Sequence, residues 1–546
     1  MVRRFIPLVA LAAAFTAGSA AAAGRAPACT GTCFSAPAGS GALFVFTGHG
    51  WGHGVGMSQY GAYGYAQHGA TFDQILSHYY PGTTLGPAPV SKIRVLLADK
   101  RKTLKLSSMV PFTVRDGSGA RHSLAAGTLS FGPGLRLAVD GNPAPQKLSP
   151  PLTFVAGKGG PLTLTRPYRG QIQVDVVDGK LRAIDIVALE QYLYGVVPSE
   201  MPSTWAPEAL KAQAVAARSY ALATRQVAAP FDVYSDTRSQ MYLGISAESQ
   251  AATAAVDLTK RQVLFYGGTI ATTYFSSTSG GKTESSFDWT GAALPYLVSV
   301  PDPYDDISPY HSWGPVPMTA RSVVKALKLT GPVLDATTVP NAAGRVAQLN
   351  LVTPLDAVPV AGTKLRAALG LRSTWFSVGV LSLAAPSPNA PVTYGSPVTL
   401  GGTIRGVTGV TLEQRAPGGT WEAVAPVAPG AVKLTQKPAV TTDYRLATAT
   451  AAAGSVRIRV APLVTVTSLT TTQVTGSEQP VVMGASVQIQ QQNPDATWTT
   501  IATGSVNSDG TFAVPVTLSS GGTYRVSTAP AAGYAAGASA SQIVVR

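Results

Sequence analysis

VALEQYLYGVVPSEMPSTWAPEALKAQAVAARSYALATRQ, residues 187–226, breaks sharply with the chain on either side of it. Leu189, Tyr192 and Leu193 recur at helical spacing, so 187–197 reads as a helix. Residues 206–226 read as a second, longer one. Pro207 stands where a first-turn proline is tolerated, Glu208 suits the N-terminal end, and Ala, Leu, Lys, Gln and Arg fill the body. Between them lies PSEMPSTW (198–205). Its two prolines within five residues predict a rigid loop and not a continued helix. That loop carries Glu200, crowded by Val196, Val197, Pro198, Met201, Pro202 and Trp205. Apolar surroundings disfavour the ionised form and raise a carboxyl pKa, which suits a general acid near neutral pH. The plainer reading is an exposed glutamate that helps the following helix start.

Outward from this stretch, the upstream segment 92–186 reads as short alternating strands: IRVLLA, LRLAV, LTFVA, LTLT and QIQVDVV, parted by Gly and Pro turns. Before it, residues 41–86 hold an apolar strand (Leu43 to Phe46), a helical pattern with Ile75, Leu76 and Tyr79, and between them GHGWGHGVGMSQYGA (48–62). His49 and His53 have H-x3-H spacing, but the glycines forbid a stable helix and no zincin glutamate is present. Structural hydrogen bonding and substrate contact are both open for them, with zinc behind. Downstream, 227–385 mixes strands, short helices and loops. YFSSTSGGKTES (274–285) contains a tight Ser/Gly turn where Ser277, Ser279, Gly280 and Gly281 let backbone and hydroxyls approach a ligand, or simply turn the chain.

A proline-rich joint, AAPSPNAP (384–391), precedes an internal repeat. VTLEQRAPGGTWEAVA (410–425) aligns with VQIQQQNPDATWTTIA (487–502), matching Val410 to Val487, Gln414 to Gln491 and Trp421 to Trp498. Two such copies, at 391–462 and 463–546, suggest tandem β-sandwiches, with Trp421 and Trp498 as core anchors.

The chain of 546 residues is 45% hydrophobic and only 12% charged, which suits globular cores. Its net charge of +14 is spread without basic runs; it suits a polyanion such as anionic lipid or an anionic cell wall, with nucleic acid the weaker reading. Residues 1–23 read as a secretory leader: Arg3 and Arg4, an apolar Phe5 to Phe15, then small residues. Residues 24–40 read as a linker. No later stretch has the length of a membrane span, so a secreted, extracellular or wall-associated protein is expected. Cys29 and Cys33 then read as one small disulfide loop, with a two-ligand metal site as the lesser alternative. No second carboxylate shares the setting of Glu200, no G-x-S-x-G occurs, and no cysteine suits a nucleophile role.

Taken together, IDIVALEQYLYGVVPSEMPSTWAPEALKAQAVAARSYAL (184–222), YFSSTSGGKTES (274–285), LPYLVSVPDPYD (294–305), LRAALGLRSTWF (365–376) and GHGWGHGVGMSQYGA (48–62) resemble the SpoIID/LytB family of stage II sporulation protein D and amidase enhancer. The likeness covers roughly 42–380. It implies an α+β fold: a SpoIID-like region at 41–385 with an inserted β-rich segment at 92–186, followed by the two all-β repeats. It implies a lytic transglycosylase acting on peptidoglycan glycan strands, or a non-catalytic enhancer of a cell-wall amidase. The catalytic glutamate of the family falls on Glu200, its helix arginine on Arg218, and its Q-x-Y substrate segment on Gln240 and Tyr242. Ser277, Ser279, Tyr296, His49, His53 and Gln59 complete the expected substrate-binding set. Arg218 has a second reading as support for its own helix.

Two features depart from the family pattern. Family members often carry two cysteines and a zinc just before Q-x-Y, where this chain has Tyr234 and Ser239, so neither metal nor cofactor is expected. The glycine-rich motif usually follows L-G-L-x-S-T-W-F, whereas here it comes first. That order implies a circular permutation, which is physically easy when termini lie close together.

Overall fold

A computed structural model describes residues 34–35, 41–158, 160–353, 355–531 and 533–544. The leader, the cysteine pair and most of the linker lie outside the described residues. Among those described, strands dominate and eight α-helices accompany them, an α+β protein. No described helix is long and apolar enough to cross a membrane.

The β-rich segment forms most of a seven-stranded sheet. Its order is Val233–Tyr234, Lys92–Arg101, Lys180–Ala188, Gln171–Val177, Leu152–Val155, Phe112–Arg115, Arg121–Leu124. Pairing is antiparallel except for the short edge strand Val233–Tyr234. Alternation along these strands puts Ile172, Val174, Leu152, Phe154 and Val114 into one core. Strand Lys180–Ala188 runs straight into helix Leu189–Glu200, which packs with helix Pro207–Ala223 through Leu193, Val196, Leu210, Ala214 and Ala217 of the same core.

The first helix does not end before Pro198, as its sequence predicts. It continues to Glu200 with the proline inside. A proline withholds only its own N–H and crowds one carbonyl. Here Ser199 Oγ donates to the Gly195 carbonyl at 2.7 Å and Met201 N–H still reaches Val197 at 3.0 Å, so the last turn closes. Glu200 therefore stands at the C-terminal end of a helix.

A further helix, Gln59–Gln67, forms within the glycine-rich stretch despite Gly61 and Gly64. Ser58 caps it, accepting from Gly61 N–H at 3.1 Å. A Cβ at position 61 would run into Tyr79 Oη and the Asp302 carboxylate, so the glycine permits close packing that offsets its poor helix propensity.

A second sheet joins strands that lie far apart in the chain. Its order is Ser312–Thr319, Leu43–His49, Phe376–Pro386, Val398–Arg405, Gly430–Gln436. Leu43 lies opposite Leu381 and Gly48 opposite Phe376, antiparallel, as the arms of a hairpin would. Yet these strands lie more than 300 residues apart in the chain. The same strand Phe376–Pro386 pairs on its other edge with Val398–Arg405 of the first repeat, Val380 opposite Arg405 and Ala384 opposite Gly401. The expected joint at 384–391 thus begins inside a strand. A continuous sheet crosses the boundary, and Leu43, Leu381 and Leu383 share a core with Leu400, Ile404 and Tyr444.

Both repeats are stacked antiparallel sheets with separate cores. Trp421 and Trp498 do not fill those cores. Each is half-buried on the outer face, with Arg445 at 4.0 Å over one ring and Arg525 at 4.2 Å over the other. Glu413 fixes Arg445 at 2.7 Å, and the matching Gln490 fixes Arg525 at 2.8 Å. Tyr444 and Tyr524 take the inward positions instead.

Candidate functional site

Glu200 sits in a cavity of about 300 Å³ lined by His53, Tyr220, Ser239, Tyr274 and Trp289, among others. Its Oε1 accepts the Met241 backbone N–H at 2.9 Å, which fixes the carboxyl plane. Burial raises its pKa, and the Met241 hydrogen bond offsets only part of that shift. Glu200 is the only carboxylate among the described lining residues.

His53 faces the same cavity from the glycine-rich loop. Its ring stacks on Trp289 at 4.5 Å and meets Tyr274 edge-on at 5.9 Å. Its Nδ1 accepts Val55 N–H at 3.0 Å, which assigns the proton of the neutral ring to Nε2. Burial, then the positive charges of Arg366 and Arg345, bring its pKa down to about 4, against the Phe275 backbone. His53 is therefore a neutral hydrogen-bond donor at ordinary pH. Gly54 makes this approach possible: it has φ +78°, and a Cβ there would strike the Arg345 guanidinium.

Gln59 does not reach the cavity. It lies behind it, and its Nε2 donates to the Glu200 backbone carbonyl at 2.9 Å. Tyr60 and Tyr63 both pack on Trp205 at 4.7 Å, so the helix following the glycine-rich loop clamps the segment that carries Glu200.

The remaining predicted residues sit elsewhere. Arg218 is fully buried; it donates to Glu190 Oε2 at 2.6 Å and to the carbonyls of Gln262 and Val256. Gln240, also buried, accepts from Tyr192 Oη at 3.1 Å and donates to the Ala217 carbonyl at 3.2 Å. Tyr242 donates to Asp185 Oδ2 at 2.9 Å. These three are held in the protein interior and none lines the cavity. Ser279 Oγ donates to Asp302 at 2.6 Å, within a buried network where Ser58 and Thr278 donate to Asp305 at 2.6 and 2.5 Å. Ser277 offers its carbonyl to Tyr60 N–H, and Tyr296 Oη accepts from Thr272 N–H at 2.9 Å. His49 is exposed on the far side of the loop from His53.

Sequence reasoning missed the aromatic walls. Tyr220 lies two residues past Arg218 on the long helix, and Tyr274 opens YFSSTSGGKTES, so both were within quoted motifs. Trp289 sits in a short helix, Ser286–Thr290, with no local pattern to single it out.

The zinc position of the family does not fit a metal here. Tyr234 and Ser239 offer a phenol and an alcohol in place of thiolates, and they are joined directly, Tyr234 N–H donating to Ser239 Oγ at 3.1 Å.

Residues 177–266 match the family described as Stage II sporulation protein, SpoIID. The chain is 39% identical over 140 residues to the amidase enhancer of Bacillus subtilis (strain 168), across 26% of this chain and 19% of that one. It is 33% identical over 174 residues to stage II sporulation protein D of the same organism, across 29% of this chain and 50% of that one. The chain thus spans half or less of the length of these curated relatives. Among solved structures, a two-domain fibronectin type III segment of chicken tenascin aligns at 16% identity and TM-score 0.21, covering 31% of this chain and 99% of that chain. The Glu200 segment and its two helices lie within the matched residues, so it is this part of the chain that is similar to the SpoIID family and to the two relatives.

Proposed function

We propose that this chain is a secreted, wall-associated lytic transglycosylase that cleaves peptidoglycan glycan strands, with Glu200 as its single acid and base. One observation carries the reading: a half-buried carboxyl with a raised pKa, alone among the described residues lining an aromatic cavity. A glycosidase that activates water needs a second carboxylate to hold it. An intramolecular reaction does not. Glu200 protonates the glycosidic oxygen as the bond from C1 of the muramic acid breaks. Its carboxylate then takes the proton of the same sugar's 6-hydroxyl as O6 bonds to C1, leaving a 1,6-anhydro end. Neutral His53 donates from Nε2 to a sugar oxygen or acetamide carbonyl, and Trp289 and Tyr274 offer ring faces to the pyranose. Because the acid must start protonated, kcat/KM falls as pH rises through the pKa of Glu200, which lies above the ordinary carboxylate range.

The test is mass spectrometry of purified glycan strands after digestion. Wild type yields 1,6-anhydro ends, and Glu200→Gln loses them, by about 10²- to 10⁴-fold, while still sedimenting with wall. Reducing ends in place of anhydro ends would replace the transglycosylase with a hydrolase.

A second reading draws on the relative named amidase enhancer. On that reading the cavity grips glycan without cutting and stimulates a cell-wall amidase. Wild type that binds but leaves strands intact, with amidase stimulation unchanged in Glu200→Gln, favours it.

A further inference from the structure

The loop His49-Gly50-Trp51-Gly52-His53 divides two cavities. His53 lines the one that holds Glu200. His49 lines a larger one, about 540 Å³, with Thr47, Ser312, Trp313, Trp375 and Ser377. We infer that this second groove is a distal subsite for the same glycan strand, holding N-acetylated sugar rings beyond those at Glu200; this rests on the glycan reading above.

The lining argues for sugar. No Lys, Arg, Asp or Glu is among the described residues bounding the groove, so a charged stem peptide finds no ionic partner there. Indole rings supply apolar faces, while hydroxyls and an imidazole supply the few polar groups that orient a ligand. Trp375 is half-buried, with His49 at 5.2 Å on one side and the Arg345 guanidinium 5.3 Å from its centroid. Trp313 is only 7% exposed, yet its indole N–H has no acceptor among the described residues. Buried indole N–H groups usually have one.

Proximity to the Glu200 cavity argues for one strand across both. His53 follows His49 by four positions, at most about 14 Å, which is within the reach of a few linked sugar rings. Trp51 stands between them, 41% exposed, edge-on to Tyr310 at 4.5 Å. Arg372 lies over both rings, at 4.8 and 4.1 Å. The divider is rigid: Gly50, Trp51 and Gly52 donate their N–H groups to Tyr310, Thr278 and Arg372 at 3.0, 2.9 and 3.0 Å. Both cavities are therefore formed before any ligand arrives.

The test is calorimetric titration of the full chain, in a Glu200→Gln background so that nothing is cut, with peptide-free GlcNAc–MurNAc disaccharide and octasaccharide. Thr47→Arg fills the groove from an exposed strand position, and His49→Ala removes its imidazole without touching a core. Expected is an octasaccharide that binds about tenfold tighter than the disaccharide, with both substitutions erasing that advantage and leaving the disaccharide unchanged. Equal octasaccharide affinity with and without the substitutions overturns the subsite and leaves the glycan reading standing. If neither sugar binds the Glu200→Gln chain, the glycan reading falls and the subsite falls with it.

Discussion

Gln59 Nε2 donates to the backbone carbonyl of Glu200 at 2.9 Å, joining two motifs that lie 141 residues apart. The contact is to the main chain and not to the reacting carboxyl. Gln59 is thus a positioning residue: it holds the last turn of a helix already weakened by Pro198.

Gln59→Leu keeps the size and removes the hydrogen bond. In the glycan cleavage proposed for Glu200, kcat should fall between about tenfold and a hundredfold, the range for a small misplacement of a catalytic group. KM and melting temperature should change little, since one neutral hydrogen bond is worth about 1 kcal/mol. A variant that melts much earlier but turns over normally when folded would make the contact merely structural.

Arg218 offers a second test, because the family likeness and the geometry point in different directions. Its guanidinium is buried against Glu190 and two carbonyls, away from the cavity. Arg218→Met leaves Glu190 without its partner, and breaking a buried pair from one side costs about 3–5 kcal/mol. Denaturant unfolding should show that loss, and the double variant with Glu190→Leu should recover much of it. If Arg218→Met instead keeps its stability and loses glycan affinity, the arginine reaches substrate.

The long helix was legible because its composition and period agree, and Glu200 was legible because prolines and apolar residues crowd it in sequence as in space. The sequence-based reading failed where a partner lies far along the chain. Nothing near Arg218 announces Glu190, and nothing near Gln59 announces Glu200. The loop expected at Pro198 was a local rule overruled by the turn that Ser199 and Met201 complete. Trp421 and Trp498 looked like core anchors because tryptophan usually is one. Trp421 precedes a strand and Trp498 begins one, both half-buried, and arginines cover them instead. The pairing of Leu43 with Leu381 joins residues 338 positions apart, and no local pattern in either strand announces its partner.

Asp185 gives a prediction in pH. Burial raises its pKa to about 7, against the hydrogen bond from Tyr242. In the unfolded chain it titrates near 3.8, so between about 4 and 7 the unfolded state ionises while the folded state stays protonated. The stability it contributes is full below 3.8 and is lost as pH rises through 7. The displacement corresponds to roughly 4 kcal/mol. Asp185→Asn should flatten the decline in unfolding free energy measured from pH 4 to pH 8. An unchanged slope would place the titration on other groups.

The shared sheet decides where the chain can be cut. A chain ending at Ala385 strips Val398–Arg405 from the edge of Phe376–Pro386 and uncovers Leu43, Leu381 and Leu383. At about 1.5–3 kcal/mol for each buried leucine, the loss is about 5–9 kcal/mol. That is comparable with the whole stability of an ordinary domain, about 5–15 kcal/mol. A chain ending at Pro462 keeps the first repeat and with it this core. It gives up mainly the second repeat's own core and a few contacts, such as Thr441 N–H to the Gly533 carbonyl and Tyr534 Oη to the Ala439 carbonyl. Thermal unfolding should therefore show a cooperative transition near the full-length value for the chain ending at Pro462, and a much lower or absent one for the chain ending at Ala385. Glycan binding should survive the first truncation and fail in the second through misfolding. If the chain ending at Ala385 instead melts like full length, the first repeat is an independent domain and the continuous sheet adds nothing to the stability of the Glu200 region.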